Sequence, residues 1–379
     1  MRGRFYHHLL RLDWTLVAAT LALLTVGVLF IFSASYRAPE LPVSPLYRRQ
    51  IGFAVIGIVV FLVMVLLDYR RLRDFAWPLY FLGLLGLVLV LVPGIGKKMY
   101  GAYRWINLTG FQLQPSELAK LATILVLARF LSNTERDPAR FSYILKAFAI
   151  ALPPVLLILK EPDLSSASVL LGVTFIMLFA AGVPLRTFGI LALTGTLMLG
   201  VLLGLLFFKS DWVPHFGYVK ERIMVFFNPG RDPLNAGWNA IQSALAVGSG
   251  GLWGKGFLQG TQDVLGYLPR TVSANDFIFP VIAEETGFIG AAVLLSLYAV
   301  VLSAGVRAAT AAQDKLGRLL AMGLTGLLFC HVFVNIAMTI GLLPIMGIPL
   351  PLVSYGGTFV VGALTALGLL QSAYARRHI

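Results

Sequence analysis

The sequence predicts an all-α integral membrane protein of about ten transmembrane helices, with one large extracytoplasmic loop between spans seven and eight. Three observations carry that prediction. Hydrophobic residues make up 58% of the 379 residues and charged residues 12%, and the mean hydropathy is +0.84. Too few polar residues remain to cover such a chain, so lipid must do it. Apolar runs of membrane length recur along the whole sequence. The one long interval between them, about 209–275, is punctuated by Pro and Gly and carries Trp212, Phe216, Trp238, Trp253 and Phe257. That interval is too long to be an idle connector, and short helices lying at the membrane interface suit it better than a soluble domain. Residues 1–379 therefore read as a single polytopic domain.

Taken in order, runs of roughly 20 residues, enough to cross a core of about 30 Å, fall at about 14–34, 51–68, 75–93, 115–132, 142–159, 165–183, 187–208, 276–305, 317–341 and 351–372. The first follows a basic N-terminus with no small-residue cleavage pattern, so an uncleaved span is expected. Only KEPDLS separates spans five and six, and Pro- and Gly-rich GLLPIMGIPLP separates nine from ten. Backbone polar groups have no water to bind in lipid, which leaves a helical bundle. With the N-terminus inside, a small majority of the 30 Lys and Arg fall on the inner side. They crowd the short links: Arg70, Arg71 and Arg73, then Arg129, Arg136 and Arg140, then Arg307, Lys315 and Arg318. Such charges set orientation, so both termini are expected in the cytoplasm.

The net charge of +13 would suggest nucleic acid for a soluble protein. Here anionic headgroups or an anionic lipid-linked substrate fit better, and the outer side keeps Lys97, Lys98, Arg104, Lys209, Lys220, Arg222, Lys255 and Arg270. The single cysteine, Cys330, lies inside an apolar run and permits no intrachain disulfide. HExxH, CxxC, GxSxG and dinucleotide-binding patterns are absent, and His7, His8, His215, His331 and His378 are too dispersed to suggest a metal cluster.

Several stretches carry chemistry-bearing residues, each with a bland alternative. In ANDFIFPVIAEE, Asn275 or Asp276 suits the cap of span eight, where a carboxylate complements the helix dipole. Glu284 and Glu285 lie about two turns deeper, and ionisable groups inside a span are costly and usually functional. Pro280 removes a donor from the first turns. Together they favour a site over a cap, with Asp276 as a general base of raised pKa. In RWINLTGFQLQPSELAK, Pro115 opens span four and Glu117 with Lys120 forms an i,i+3 pair. The pair is either self-neutralising or shared with an anion. Asp163 in KEPDLSSAS reads best as a cap. In YVKERIMVFFNPGRDP, Lys220 and Arg222 either snorkel to headgroups or hold a pyrophosphate. GSGGLWGKG lacks the spacing of a phosphate-binding loop, and its glycines suit tight turns or close helix approach. NIAMTIGLLPIMGIPLPLVSYGG reads as a rigid turn in which Asn335, Ser354 and Tyr355 bond a sugar or another helix.

As a set, RWINL…QPSELAK, EPDLSSA, GWNAIQSALAVGSGGLWGKGFLQGTQ, YLPRTVSANDFIFPVIAEETGFIG and LLPIMGIPLPLVSYGG resemble the SEDS family (shape, elongation, division and sporulation). They cover about two-thirds of the chain in the family's order, and GTQ at 260–262 is more like the elongation branch typified by RodA than the division paralogue. Asn275, Glu161 and Ser165 stand where the family commonly has Thr, Gln and Gly.

The resemblance implies a peptidoglycan glycosyltransferase that polymerises lipid II on the outer face of the cytoplasmic membrane during cell elongation. It also implies a class B penicillin-binding protein as transpeptidase partner, and other elongation-complex membrane proteins such as MreC and MreD. Asp276 matches the family's essential aspartate. Lys120, Arg222 and Lys255 become candidates for the pyrophosphate. Glu117 would orient Lys120, Asp163 or Glu285 would complete a polar core, and Arg104, Gln242 and Ser354 would add substrate contacts. Whether a divalent cation bridges the pyrophosphate is left open. Two other readings compete: a lipid II flippase, which should line a route through the bilayer midplane with polar groups, and a non-catalytic scaffold.

Overall fold

The computed structural model describes residues 11–36, 44–99, 102–108, 111–133, 137–208, 217–232, 236–261, 267 and 273–377. Arg136, Lys209, Trp212, Phe216, Gln262 and Arg270, weighed above, lie outside the described residues. Each apolar run forms a helix: α1 (Trp14–Ser35), α2 (Leu46–Leu66), α3 (Tyr69–Leu91), α4 (Pro115–Leu131), α5 (Phe141–Lys160), α6 (Leu164–Ala180), α7 (Leu185–Phe208), α10 (Ile278–Ala311), α11 (Lys315–Thr339) and α12 (Gly357–Ala375). Seven of them are long and apolar enough to cross a membrane: α1, α2, α3, α5, α10, α11 and α12. Between α7 and α10 lie α8 (Gly217–Phe227), a 3₁₀ turn (Pro229–Arg231) and α9 (Ala236–Ser249), the short helices expected there.

The expectation of an all-α chain needs one correction. Between α3 and α4 the chain forms an antiparallel sheet of order β1–β2–β3, from β1 (Gly96–Met99), β2 (Ala102–Leu108) and β3 (Phe111–Leu113). Gly96 pairs with Ile106, and Ile106 in turn with Leu113. The stretch is too short and polar to span lipid, yet local pairing satisfies its backbone.

Asp residues start the helices. Asp13, Asp68, Asp163 and Asp314 each accept backbone N–H groups at the first turns of α1, α3, α6 and α11. The packing order follows burial. In α12, 83% of the apolar window is buried, against 28% in α2 and α3, which places α12 at the centre and those two outside. Small residues set the close contacts, as expected where helices associate without a hydrophobic drive between them. Gly368 of α12 sits against the Phe61 backbone of α2, and Gly83 of α3 against Ala119 of α4.

Helix α10 is broken. Gly287 has φ 68° and ψ −165°, a region open essentially to Gly alone. Residues 251–256 repair the break. Lys255 and Gly256 donate their N–H groups to the carbonyls of Glu284 and Glu285 (both 3.0 Å), and Phe288 and Ile289 donate to Gly251 and Leu252 (2.8 and 3.2 Å). The glycine-rich run thus serves close approach, as its composition predicts.

Candidate active site

The start of α10 departs from the expected cap. Phe277 occupies the cap position and makes no side-chain cap bond, so Asp276 does not close the helix with its carboxylate. Pro280 lies in the first turn, where a missing N–H costs nothing. The chain before α10 is instead held by α11 and the turn that follows it. Asn335 Nδ2 donates to the Asp276 carbonyl (2.9 Å) and to Ile348 O (2.6 Å). Ser354 Oγ donates to Asn275 O (2.5 Å) and accepts from Leu350 N (2.7 Å), while Tyr355 N donates to Ala274 O (2.9 Å). Gly347, at φ +73°, faces the Asp276 carboxylate so closely that a Cβ there would stand 3.2 Å from Oδ2. Of the residues read from sequence as partners for a sugar or a helix, the Asn335 amide nitrogen and the Ser354 hydroxyl bond within this scaffold, while Asn335 Oδ1 is buried without a hydrogen-bond partner.

Asp276 therefore stands free of the helix terminus and partly buried. Burial raises its carboxyl to about 6, against the pull of Arg222 and Arg104 and with a further push from Asp163. Four segments distant in sequence meet here. Arg222 on α8 donates to Ile345 O. Arg104 on β2 donates Nε to Glu161 O (3.1 Å) and Nη2 to Pro162 O, tying the sheet to the corner between α5 and α6. Burial would raise Asp163 too, but Arg104 and the bonds from Ser165 Oγ (2.6 Å), Ser166 N (3.0 Å) and Ser166 Oγ (2.8 Å) hold it below the ordinary range. Glu161 is the opposite case. It is fully buried, neither carboxyl oxygen has a hydrogen-bond partner, and burial with Asp163 nearby lifts it to about 9 despite Arg104. It carries its proton at neutral pH and behaves as the neutral side chain that the resemblance leads one to expect there. Sequence reasoning noted Glu161 only as a departure.

The remaining candidates form two other clusters. Lys120 is 0% exposed, and its Nζ donates to Glu117 Oε1 (2.9 Å) and faces His331 Nε2 at 3.0 Å. The i,i+3 pair is as the spacing predicts. His331, which the sequence marks only as one of five dispersed histidines, has no sequence neighbour to link it to Lys120. Lys255 Nζ donates to Glu284 Oε1 (2.5 Å) and Thr261 Oγ1 (2.6 Å), and Glu285 Oε1 accepts from Ser33 Oγ of α1 (2.5 Å). Lys255 and Glu285 thus brace the α10 break, apart from the Asp276 group. Gln242 is buried on α9. Among the described residues no group of three or more His, Cys, Asp or Glu side chains is placed to hold a metal ion.

The comparisons concern the chain as a whole. Residues 14–378 match the family model of the cell cycle proteins FtsW, RodA and SpoVE. This chain belongs to that family. It is 39% identical over 367 residues to the probable peptidoglycan glycosyltransferase FtsW of Trichlorobacter lovleyi, covering 96% of this chain and 93% of that one. It is 34% identical over 432 residues to the peptidoglycan glycosyltransferase RodA of Treponema pallidum, covering 96% and 98%. A solved chain from a peptidoglycan synthase complex that coordinates polymerization and crosslinking superposes with TM-score 0.78 and 32% identity, covering 97% of this chain and 98% of that one. FtsW, RodA and SpoVE relatives thus match nearly the full length of this multi-pass chain.

Proposed function

We propose that this protein is a peptidoglycan glycosyltransferase that polymerises lipid II into glycan strands, with Asp276 as general base. The observation that carries the site is Asp276 itself: a carboxylate released from capping, partly buried, and poised near 6 under the opposing pull of Arg222 and Arg104. A base with that pKa is mostly ionised at neutral pH yet still takes a proton readily. In the reaction an acceptor sugar hydroxyl attacks the anomeric carbon of the lipid-linked donor. Its proton passes to Asp276, the C–O bond to the pyrophosphate breaks, and the leaving group departs with the electron pair. Arg222 and Arg104, whose charges already act on Asp276, are the cations to steady that charge. Lys120 serves the same end from the neighbouring cluster, with Glu117 orienting it. Lys255, Glu285, Gln242, Asp163 and Ser354 support the fold of the site or its approaches.

This reading sets all ten helices across the cytoplasmic membrane with both termini in the cytoplasm and the 209–275 interval outside. It takes elongation as the setting, from the GTQ motif. A class B penicillin-binding protein is the proposed partner, supported by the likeness to a chain of a synthase that couples polymerisation to crosslinking. MreC and MreD remain companions implied by family resemblance.

The deciding experiment gives labelled lipid II to the purified protein with its transpeptidase. Wild type should build glycan strands, whereas movement of lipid II across vesicles without polymerisation would favour the flippase reading. The pH profile tests the base. kcat/KM should fall about tenfold per unit below pH 6, the slope of a single ionisation. Arg222→Gln removes a charge that lowers the Asp276 pKa, so its acid limb should move to higher pH. An unmoved limb would place the titrating group elsewhere.

A further inference from the structure

Lys120 and Asp276 come from different clusters, and one helix reaches both. On α11, His331 faces Lys120 Nζ at 3.0 Å, and Asn335, four residues on, donates to the Asp276 carbonyl at 2.9 Å. Residues four apart lie on one helix face, about 6 Å apart along the axis. We propose that His331 is a positioning residue for Lys120, and that with Asn335 it makes α11 the strut that keeps the ammonium and Asp276 in register. The proposal rests on the glycosyltransferase reading of Lys120 and Asp276.

The argument is one of donor geometry. An ammonium has three N–H donors and no acceptor. Glu117 takes one, and because Lys only donates, His331 Nε2 must be unprotonated and take the second. The ring proton therefore sits on Nδ1, a buried atom with the Pro349 backbone beside it. The ring packs against Phe359 of α12, with centroids 5.0 Å apart, so it cannot swing away. Two fixed bonds leave Lys120 a single N–H in a single direction. With Glu117 alone, a carboxylate one helical turn away on the same helix, the ammonium could rotate about that bond and lose its aim. An electrostatic contact of this kind serves the transition state only if it is preorganised.

The test is a double-mutant cycle on lipid II polymerisation by the protein with its transpeptidase. His331→Ala should lower kcat/KM at least tenfold. His331→Gln, whose amide oxygen can accept from Lys120, should recover to within about threefold of wild type. The double variant His331→Ala with Lys120→Ala should be no slower than Lys120→Ala alone, because a residue acting through Lys120 has nothing left to position. Full activity in His331→Ala, no rescue by Gln, or additive losses would overturn the proposal. Should His331→Ala fail to accumulate in membranes, His331→Leu, which refills the volume without an acceptor, replaces it in the cycle. Polymerisation surviving in both Lys120→Ala and Asp276→Ala would instead sink the underlying reading, whatever His331 does.

Discussion

Asp276→Asn should lower glycan polymerisation by at least about 10²–10⁴-fold, the range usual for loss of a general base, while the protein still inserts and binds its transpeptidase. The amide keeps the shape and the backbone contacts to Asn335, so a folding defect is not the expected cause. Stability supplies an independent check with a definite sign. The folded pKa of Asp276 is raised to about 6 from 3.8, so the folded protein holds this proton more tightly than the unfolded chain does. The cost of burying the ionised group is fully present above pH 6 and vanishes as pH falls below 3.8. Asp276→Asn should therefore unfold at a higher temperature than wild type at pH 7, and the gap should close on acidification. An inactive variant that is also less stable at neutral pH would mean that the carboxylate holds the fold. Normal strands from this variant would remove Asp276 from the chemistry.

Gly287→Ala should be strongly destabilising. Its φ and ψ belong to a region that costs a residue with a Cβ about 1–3 kcal/mol. The new methyl would also collide with Gly254 N and come within 2.6 Å of the Leu252 carbonyl, adding about 1–3 kcal/mol for an overpacked contact. The total is about 2–6 kcal/mol, and part of it falls on activity. To relieve the clash, residues 251–256 must leave the break in α10, and Lys255 then loses Glu284. Thermal unfolding in detergent measures the first effect and lipid II polymerisation the second. Gly248→Ala is the control: it lies on α9, and a Cβ there meets nothing within 4 Å. Equal midpoints for the two variants would show that the break tolerates a side chain.

Much of this was legible in the sequence because it depends on local pattern. Apolar runs mark helices wherever lipid is the solvent, and each expected run is helical here. The Glu117–Lys120 pair needs only the helical period, and the Asp163 cap only the position before a helix. The sheet at 96–113 was not legible as such. It arises from pairing between short polar stretches, which a search for spans treats as links. The role of Asp276 was only half legible. Its position before an apolar helix suggests a cap, and the competing scaffold of Asn335, Ser354 and Gly347 comes from a segment about sixty to eighty residues away. His331 and Glu161 show the same limit. Neither carries a motif, because what singles them out is a partner or a missing partner across the bundle.

By itself the sequence determined a multi-pass helical chain and the residue types for handling an anionic, lipid-linked substrate. Its motifs also determined the family, with an aspartate at the centre. Composition and spacing suffice for that, because the membrane imposes helices and leaves few charges that are not functional. Only the tertiary structure decided that Asp276 shares its surroundings with Arg222, Arg104 and Asp163, while Lys255 is bound to Glu284. It also decided that α11 touches both Lys120 and the Asp276 turn. The physical reason is that burial and charge pairing depend on distances between segments that meet only when the helices pack.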